Sequence, residues 1–213
     1  MRITFKKIEI HNFMSYVDET FDFNKHKGMN LICGKNNDIP GHNSTNAVGK
    51  SQLFESLCFS LYGQTRNNIK NGNIHNKYVP GKETRVVTYF SIEDIEHKVV
   101  SGFGKHGAPY CELYEINDGE EISLTKSTIA ETRKFLETEI LHCDISIFLR
   151  TILLSSDQNY NFFRLRKSEK KEFIEKLFDI SVFGDIYSAI HRDILNNDKE
   201  ILEQELNDLK KAE

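Results

Sequence analysis

Long apolar runs are missing from this chain: nothing in it approaches the ~18 to 20 consecutive apolar residues that span a bilayer. The opening, MRITFKKIEI, alternates apolar and charged residues, unlike a signal or transit peptide, so a cytoplasmic protein with no membrane partner is expected. Cysteine is sparse and scattered. Cys33, Cys58, Cys111 and Cys143 form no C-x-x-C pair, which argues against a disulfide scaffold or a zinc knuckle. With three prolines and twelve glycines, collagen-like and disordered compositions are excluded. An excess of basic charge is also lacking: the net charge is -4, so no global field draws in nucleic acid. What remains is 213 residues with fifteen Phe and eight Tyr, enough to bury the core of one domain, or of one domain with an appendage.

Apolar spacing divides the chain. Ile3, Phe5, Ile8 and Ile10 alternate like a strand, with a slip at Lys6-Lys7 that predicts a bulge. Met29 to Cys33, ended by Gly34, reads as a short buried strand, and a loop rich in Gly, Asn, Pro and Ser follows through Ser44. Leu53, Phe54, Leu57, Cys58 and Leu61 recur at helical spacing, with Gly63 as the stop. Strands are expected over 85–92, 96–101, 110–116 and 121–124, and a helix over 127–141 capped by Ser127 or Thr128. From Ser168 the pattern is helical. In the tail, Leu195, Leu202 and Leu209 lie seven apart with Leu206 between, as at the root of a coiled coil or on a terminal surface helix.

A strand, a loop, then Gly49-Lys50-Ser51 opening a helix is the order of a phosphate-binding P-loop, here 34–51. Glycine lets backbone approach a phosphate, and successive amides at a helix start form a positive concavity. In that arrangement Lys50 reaches the β- and γ-phosphates and the Ser51 hydroxyl ligates Mg2+. The match departs from G-x-x-x-x-G-K-S: Ser44 stands at the first glycine, 38–43 read as inserted, and Ala47 fills a place where glycine is frequent. Gly102-x-Gly104-x-x-Gly107 formally fits a dinucleotide fingerprint, but Pro109 and a strand follow it rather than a helix, so it reads as a hairpin connection.

Three stretches in order resemble the SbcC-type, SMC-like repair ATPases, most nearly the phage recombination-endonuclease subunits. They are Lys7 to Tyr16 with its N-F-x-S element at Asn12, Phe13 and Ser15; Gly34-x-Asn36 with Asn46 to Gly63; and Phe148 to Ile180 with Gln158, Phe162-Phe163 and Leu177-Phe178. The resemblance implies an α/β fold, the ABC-type P-loop ATPase half-head of mixed sheets and helices. Residues 1–180 would form the N-terminal lobe, and 181–213 the start of a coiled coil. It implies an ATP site at Ser15, Gly34, Asn36, Asn46, Ala47, Val48, Gly49, Lys50, Ser51 and Gln52, with Mg2+ on Ser51 and Gln158. Lys50 and Gln158 would be the catalytic pair, Gln158 as a Q-loop amide that ligates metal and orients water while staying neutral.

No apolar strand ends in Asp-Glu, and neither Leu-Ser-Gly-Gly nor a zinc-hook C-x-x-C occurs. The resemblance therefore implies a half-head that hydrolyses ATP only when a C-terminal half of the same ATPase completes it. It also implies a second head in a homodimer, an SbcD-like metallophosphoesterase nuclease, double-stranded DNA, and a phage-encoded protein in a bacterial cytoplasm. Contacts to DNA phosphate are open to the acid-free stretch 56–82, with Arg66, Lys70, Lys77 and Lys82, and to Arg164 through Lys171. Residues 181–213 are a candidate docking area for the nuclease. Two rival readings remain: a structural SMC or RecN/RecF-like DNA-binding ATPase without a nuclease, and a degenerate head that has lost nucleotide.

Overall fold

The computed structural model describes residues 2–35, 48–69, 71–79, 81, 83–154, 161–178, 180, 182–184, 186–196 and 199. The chain divides into two compact units, 1–149 and 150–213. The fold class is the expected α/β.

The first unit is built on one six-stranded sheet in the order β2-β1-β3-β4-β5-β6, with every neighbouring pair antiparallel. Its strands are β1 (Ile3–Phe13), β2 (Tyr16–Asp22), β3 (Thr84–Ile92), β4 (Ile95–Phe103), β5 (Pro109–Asn117) and β6 (Glu120–Ser123). The slip at Lys6-Lys7 is a register shift between Phe5 and Lys7 in the β1–β3 ladder, and it returns Ile8 and Ile10 to the buried face. The glycine-rich 102–107 segment is the expected hairpin connection, closed by Gly104 N–H to the Ala108 carbonyl at 2.9 Å. Strand β2 is not legible as a strand in the sequence, because an edge strand with exposed faces shows little alternation.

Helix α1 (Lys50–Tyr62) packs across the sheet. Phe59 bridges Phe13 and Phe103, with ring centroids at 5.4 and 5.6 Å. Ser60 ties it to the strands, donating to Thr88 Oγ1 at 2.7 Å while its carbonyl accepts from Ser101 Oγ at 2.7 Å. Each fully buried Leu or Phe here contributes about 1.5–3 kcal/mol of transfer free energy. Gly63, left-handed, ends the helix as expected, its amide returning to the Phe59 carbonyl at 2.8 Å. The Arg133 guanidinium, its pKa drawn down by burial, lies against Gly63 and donates to the Leu61 carbonyl at 3.5 Å. A cation at that end suits the helix dipole. Helix α2 (Ile129–Phe135) starts at Thr128 in a reciprocal capping box with Glu131 and runs into a π-helical turn over 136–140. A short helix α3 (Ile145–Thr151) follows.

One expectation fails. Met29 to Cys33 is irregular chain rather than a buried strand, and Met29 and Leu31 stand fully in solvent. A strand exists only through its ladder, and these five residues meet no neighbouring strand among the described residues.

In the second unit, α4 (Lys167–Leu177) and the helical residues 182–184 and 186–196 match the helical composition from Ser168 onward. Phe162 packs on Phe173 at 5.4 Å, and Glu169 accepts from the Arg166 amide at 2.8 Å at the start of α4. Of the proposed coiled-coil leucines, Leu195 is described and exposed, whereas Leu202, Leu206 and Leu209 lie outside the described residues.

Candidate functional site

The start of α1 brings together Ser15, Gly34, Val48, Gly49, Lys50, Ser51 and Gln52. Asn36, Asn46, Ala47 and Gln158 lie outside the described residues. Gly49 is the N-cap of α1 at φ 81, a left-handed conformation in which a side chain is strained. A Cβ at Gly49 would also overlap the Ser15 hydroxyl, and one at Gly34 would overlap the Val48 side chain. Both glycines are thus explained by close approach, the reason such loops use the residue.

The electrostatics favour an anion. The amides of Val48, Gly49 and Ser51 have no hydrogen-bond acceptor among the described residues, and they precede or open a 13-residue helix with no acidic residue in its first turn. Lys50 begins the helix, and the Ser51 side chain is exposed beside it. This donor set fits a polyphosphate. An exposed hydroxyl at Ser51 fits a hard cation that takes oxygen ligands and keeps several waters.

The turn between β1 and β2 braces this terminus. Ser15 donates its backbone amide to Gln52 Oε1 at 2.8 Å and its hydroxyl to the same oxygen, while the Tyr16 hydroxyl donates to the Gly49 carbonyl at 3.1 Å. Burial raises the pKa of Tyr16, so it remains a donor. The turn is itself held in an unusual backbone, with Asn12 and Met14 both at φ 50. Asn12, 2% exposed, fastens it: its Nδ2 donates to the Glu83 carbonyl at 2.5 Å, and its Oδ1 accepts from the Asn76 amide at 3.1 Å. The Met14 amide adds a bond to the Ile74 carbonyl at 2.6 Å. Sequence reading places Ser15 here and includes Asn12 and Tyr16 in the same motif stretch, but does not foresee their bracing roles. The available signal is an asparagine, which tolerates left-handed backbone, three residues before the serine.

The basic stretches are less open than their composition implies. Arg66 is bound to buried Glu55, with Nε and a terminal nitrogen each 2.9 Å from Oε1 and its amide 2.7 Å from Oε2. Lys171 pairs with Glu175 at 3.5 Å. Lys70 and Lys82 lie outside the described residues. Elsewhere, a surface cleft of about 510 Å³ against α2, lined by Lys126, Glu131, Lys134 and Phe135 among others, contains no predicted site residue. No helix among the described residues is long and apolar enough to cross a membrane.

A donor-rich helix start behind two close-packed glycines, set on an α/β scaffold, defines the class: a P-loop nucleotide-binding protein. The AAA domain family matches residues 7–213, and the chain belongs to that family. It is 28% identical over 212 residues to the DNA double-strand break repair Rad50 ATPase of Methanocaldococcus jannaschii, covering 97% of this chain and 19% of that protein. To the "Probable exonuclease subunit 2" of Escherichia phage T5 it is 28% identical, covering 90% of this chain and 29% of the other. One component of the SbcCD nuclease of Staphylococcus saprophyticus is 22% identical, covering 95% and 20% respectively. The chain therefore spans less than a third of the length of these relatives. Among solved structures, the recombination mediator protein RecF with ATP aligns at a TM-score of 0.41 and 21% identity, over 56% of this chain and 28% of that one. These relatives include the SbcC type that the motif stretches resemble.

Proposed function

We propose that residues 1–180 are the ATP-binding lobe of the ATPase subunit of a DNA repair and recombination nuclease complex, with 181–213 leading into a coiled coil. The observation that carries this reading is the α1 terminus. There Lys50 sits between Gly49 and Ser51, whose amides meet no acceptor among the described residues, behind Gly34, in a chain matched by the AAA domain family almost throughout. When bound, ATP supplies the phosphoanhydride chemistry. The chain's own part is to hold the triphosphate on the amides of 46–51, to place the Lys50 ammonium on its β- and γ-oxygens, and to offer Ser51 Oγ and Gln158 to Mg2+.

The remaining parts of the reading rest on the likeness to SbcC-type ATPases. Hydrolysis requires a C-terminal half with the acidic strand end and signature element, and ATP clamps two such heads together. Closure then controls access of double-stranded DNA to an SbcD-like metallophosphoesterase, in the cytoplasm of a phage-infected cell. The exposed apolar residues Val182, Phe183, Ile186, Tyr187 and Ile190 are the candidate docking face for that nuclease.

The test is equilibrium binding of Mg-ATP to the wild type and to Lys50→Ala, each combined with its C-terminal half. Removing a charge-assisted contact to phosphate is expected to weaken binding about 10-fold or more and to abolish hydrolysis. Equal affinity in the two proteins overturns the assignment.

A further inference from the structure

We propose that Ser15 is a positioning residue of the nucleotide site: it fixes the Gln52 carboxamide so that the NH2 group, not the oxygen, is left for the phosphate chain. The inference rests on reading the α1 terminus as a phosphate site.

Amide oxygen and nitrogen are alike in shape, and only their hydrogen-bond partners distinguish them. Here the partner leaves one choice. The Ser15 backbone N–H, 2.8 Å away, is a donor and accepts nothing, so the atom facing it is Oε1. The Ser15 hydroxyl donates to the same oxygen and stands in the space that a Gly49 side chain would need. Both bonds converge on Oε1, and Nε2 has no acceptor among the described residues. Its two hydrogens therefore join the amides of Val48, Gly49 and Ser51 at the first turn of α1 as donors for an anion. Without Ser15 the amide turns freely about its last torsion, and half of its orientations present a carbonyl oxygen to an anion. The turn that carries Ser15 is fastened by Asn12 and Met14 and by Tyr16 to Gly49, so the serine is placed before nucleotide arrives.

The experiment measures dissociation constants for Mg-ATP and for inorganic triphosphate with the full chain and its C-terminal half. The variants are Ser15→Ala, Gln52→Ala, the double variant, Gln52→Glu and Lys50→Ala, with thermal unfolding as a check on folding. Gln52→Ala is expected to lose about 10-fold on both ligands, since an amide donor to a charged phosphate is lost. Ser15→Ala loses several-fold alone and nothing further when Gln52 is already alanine, the signature of a residue acting through another. Gln52→Glu keeps both bonds to Ser15, replaces the NH2 group by an oxygen, and binds more weakly than Gln52→Ala. The proposal is overturned, with the phosphate reading intact, if Lys50→Ala loses binding while Gln52→Ala or Gln52→Glu binds like wild type. It is overturned equally if the Ser15→Ala cost persists in the double variant, or if the loss is confined to ATP. Retention of binding by Lys50→Ala removes both readings together.

Discussion

His97 illustrates how one buried group sets a pH response. It lies 4% exposed in β4, stacked on Phe90 with ring centroids 5.4 Å apart, and its Nδ1 has no partner among the described residues. Burial pushes its pKa below the usual 6.5, against smaller upward pulls from the nearby Ile95 backbone and from the charge of Glu115 across the ladder. The native state thus binds this proton less readily than the unfolded chain does. Its stability contribution is intact above pH 6.5 and is lost as pH falls from 6.5 toward the lowered native value. Urea unfolding of the wild type between pH 7 and pH 5 is expected to lose stability with a slope of up to ~1.4 kcal/mol per unit from this one group. His97→Leu removes that share of the slope, and an identical pH profile in the variant refutes the account. Nothing in sequence distinguishes His97 from the other histidines, since its burial comes from cross-strand packing. Gly49, Lys50 and Ser51 are legible because their chemistry depends on adjacent residues. The bracing roles of Asn12 and Tyr16 are not, because their partners lie more than thirty residues away.

Helix α1 reads as amphipathic from its leucines and aromatics, yet its polar side is buried as well. Glu55, Ser56 and Ser60 are each under 5% exposed. All three are satisfied: Ser56 by the Leu53 carbonyl at 2.7 Å, Ser60 by Thr88, and Glu55 by Arg66. Periodicity reports the apolar face of a helix and is silent about small polar residues that find partners in the interior. The Glu55–Arg66 pair also closes the segment after Gly63 onto the helix that carries Lys50. Arg66→Ala leaves a buried carboxylate without its cation and is expected to cost about 3–5 kcal/mol in chemical denaturation. Replacing both by methionine recovers most of that loss, because no lone charge remains inside. A loss under about 1 kcal/mol for Arg66→Ala would show the pair to be no more than a surface contact. At the level of elements the strands β3 to β5 are legible from alternation, and so is the β1 bulge. The 29–33 segment misleads because an apolar run reads as a strand, whereas a strand forms only in a ladder, and this run joins none among the described residues.

That exposed run bears on whether the molecule is completed by another part of its own protein. Apolar side chains at Met29 and Leu31, lying fully in water directly before the glycine that packs on Val48, are unfavourable unless something covers them. A C-terminal half supplying a strand to this edge would do so, and would link its arrival to the geometry of Gly34. The cysteines provide a direct readout. Burial raises the Cys58 thiol to about 12 and the Cys143 thiol to about 11, and Cys111 is 4% exposed, whereas Cys33 lies exposed within the run itself. Thiolate is the reactive form, so native protein treated with iodoacetamide should label quickly at Cys33 and slowly elsewhere. Unfolded protein should label at all four. Adding the C-terminal half should slow Cys33 about 10-fold or more, while a Leu31→Asp variant, whose charge resists burial, should keep its fast labelling and lose association. If the two halves co-purify and Cys33 labels as fast as before, the idea that a C-terminal half covers this run is refuted.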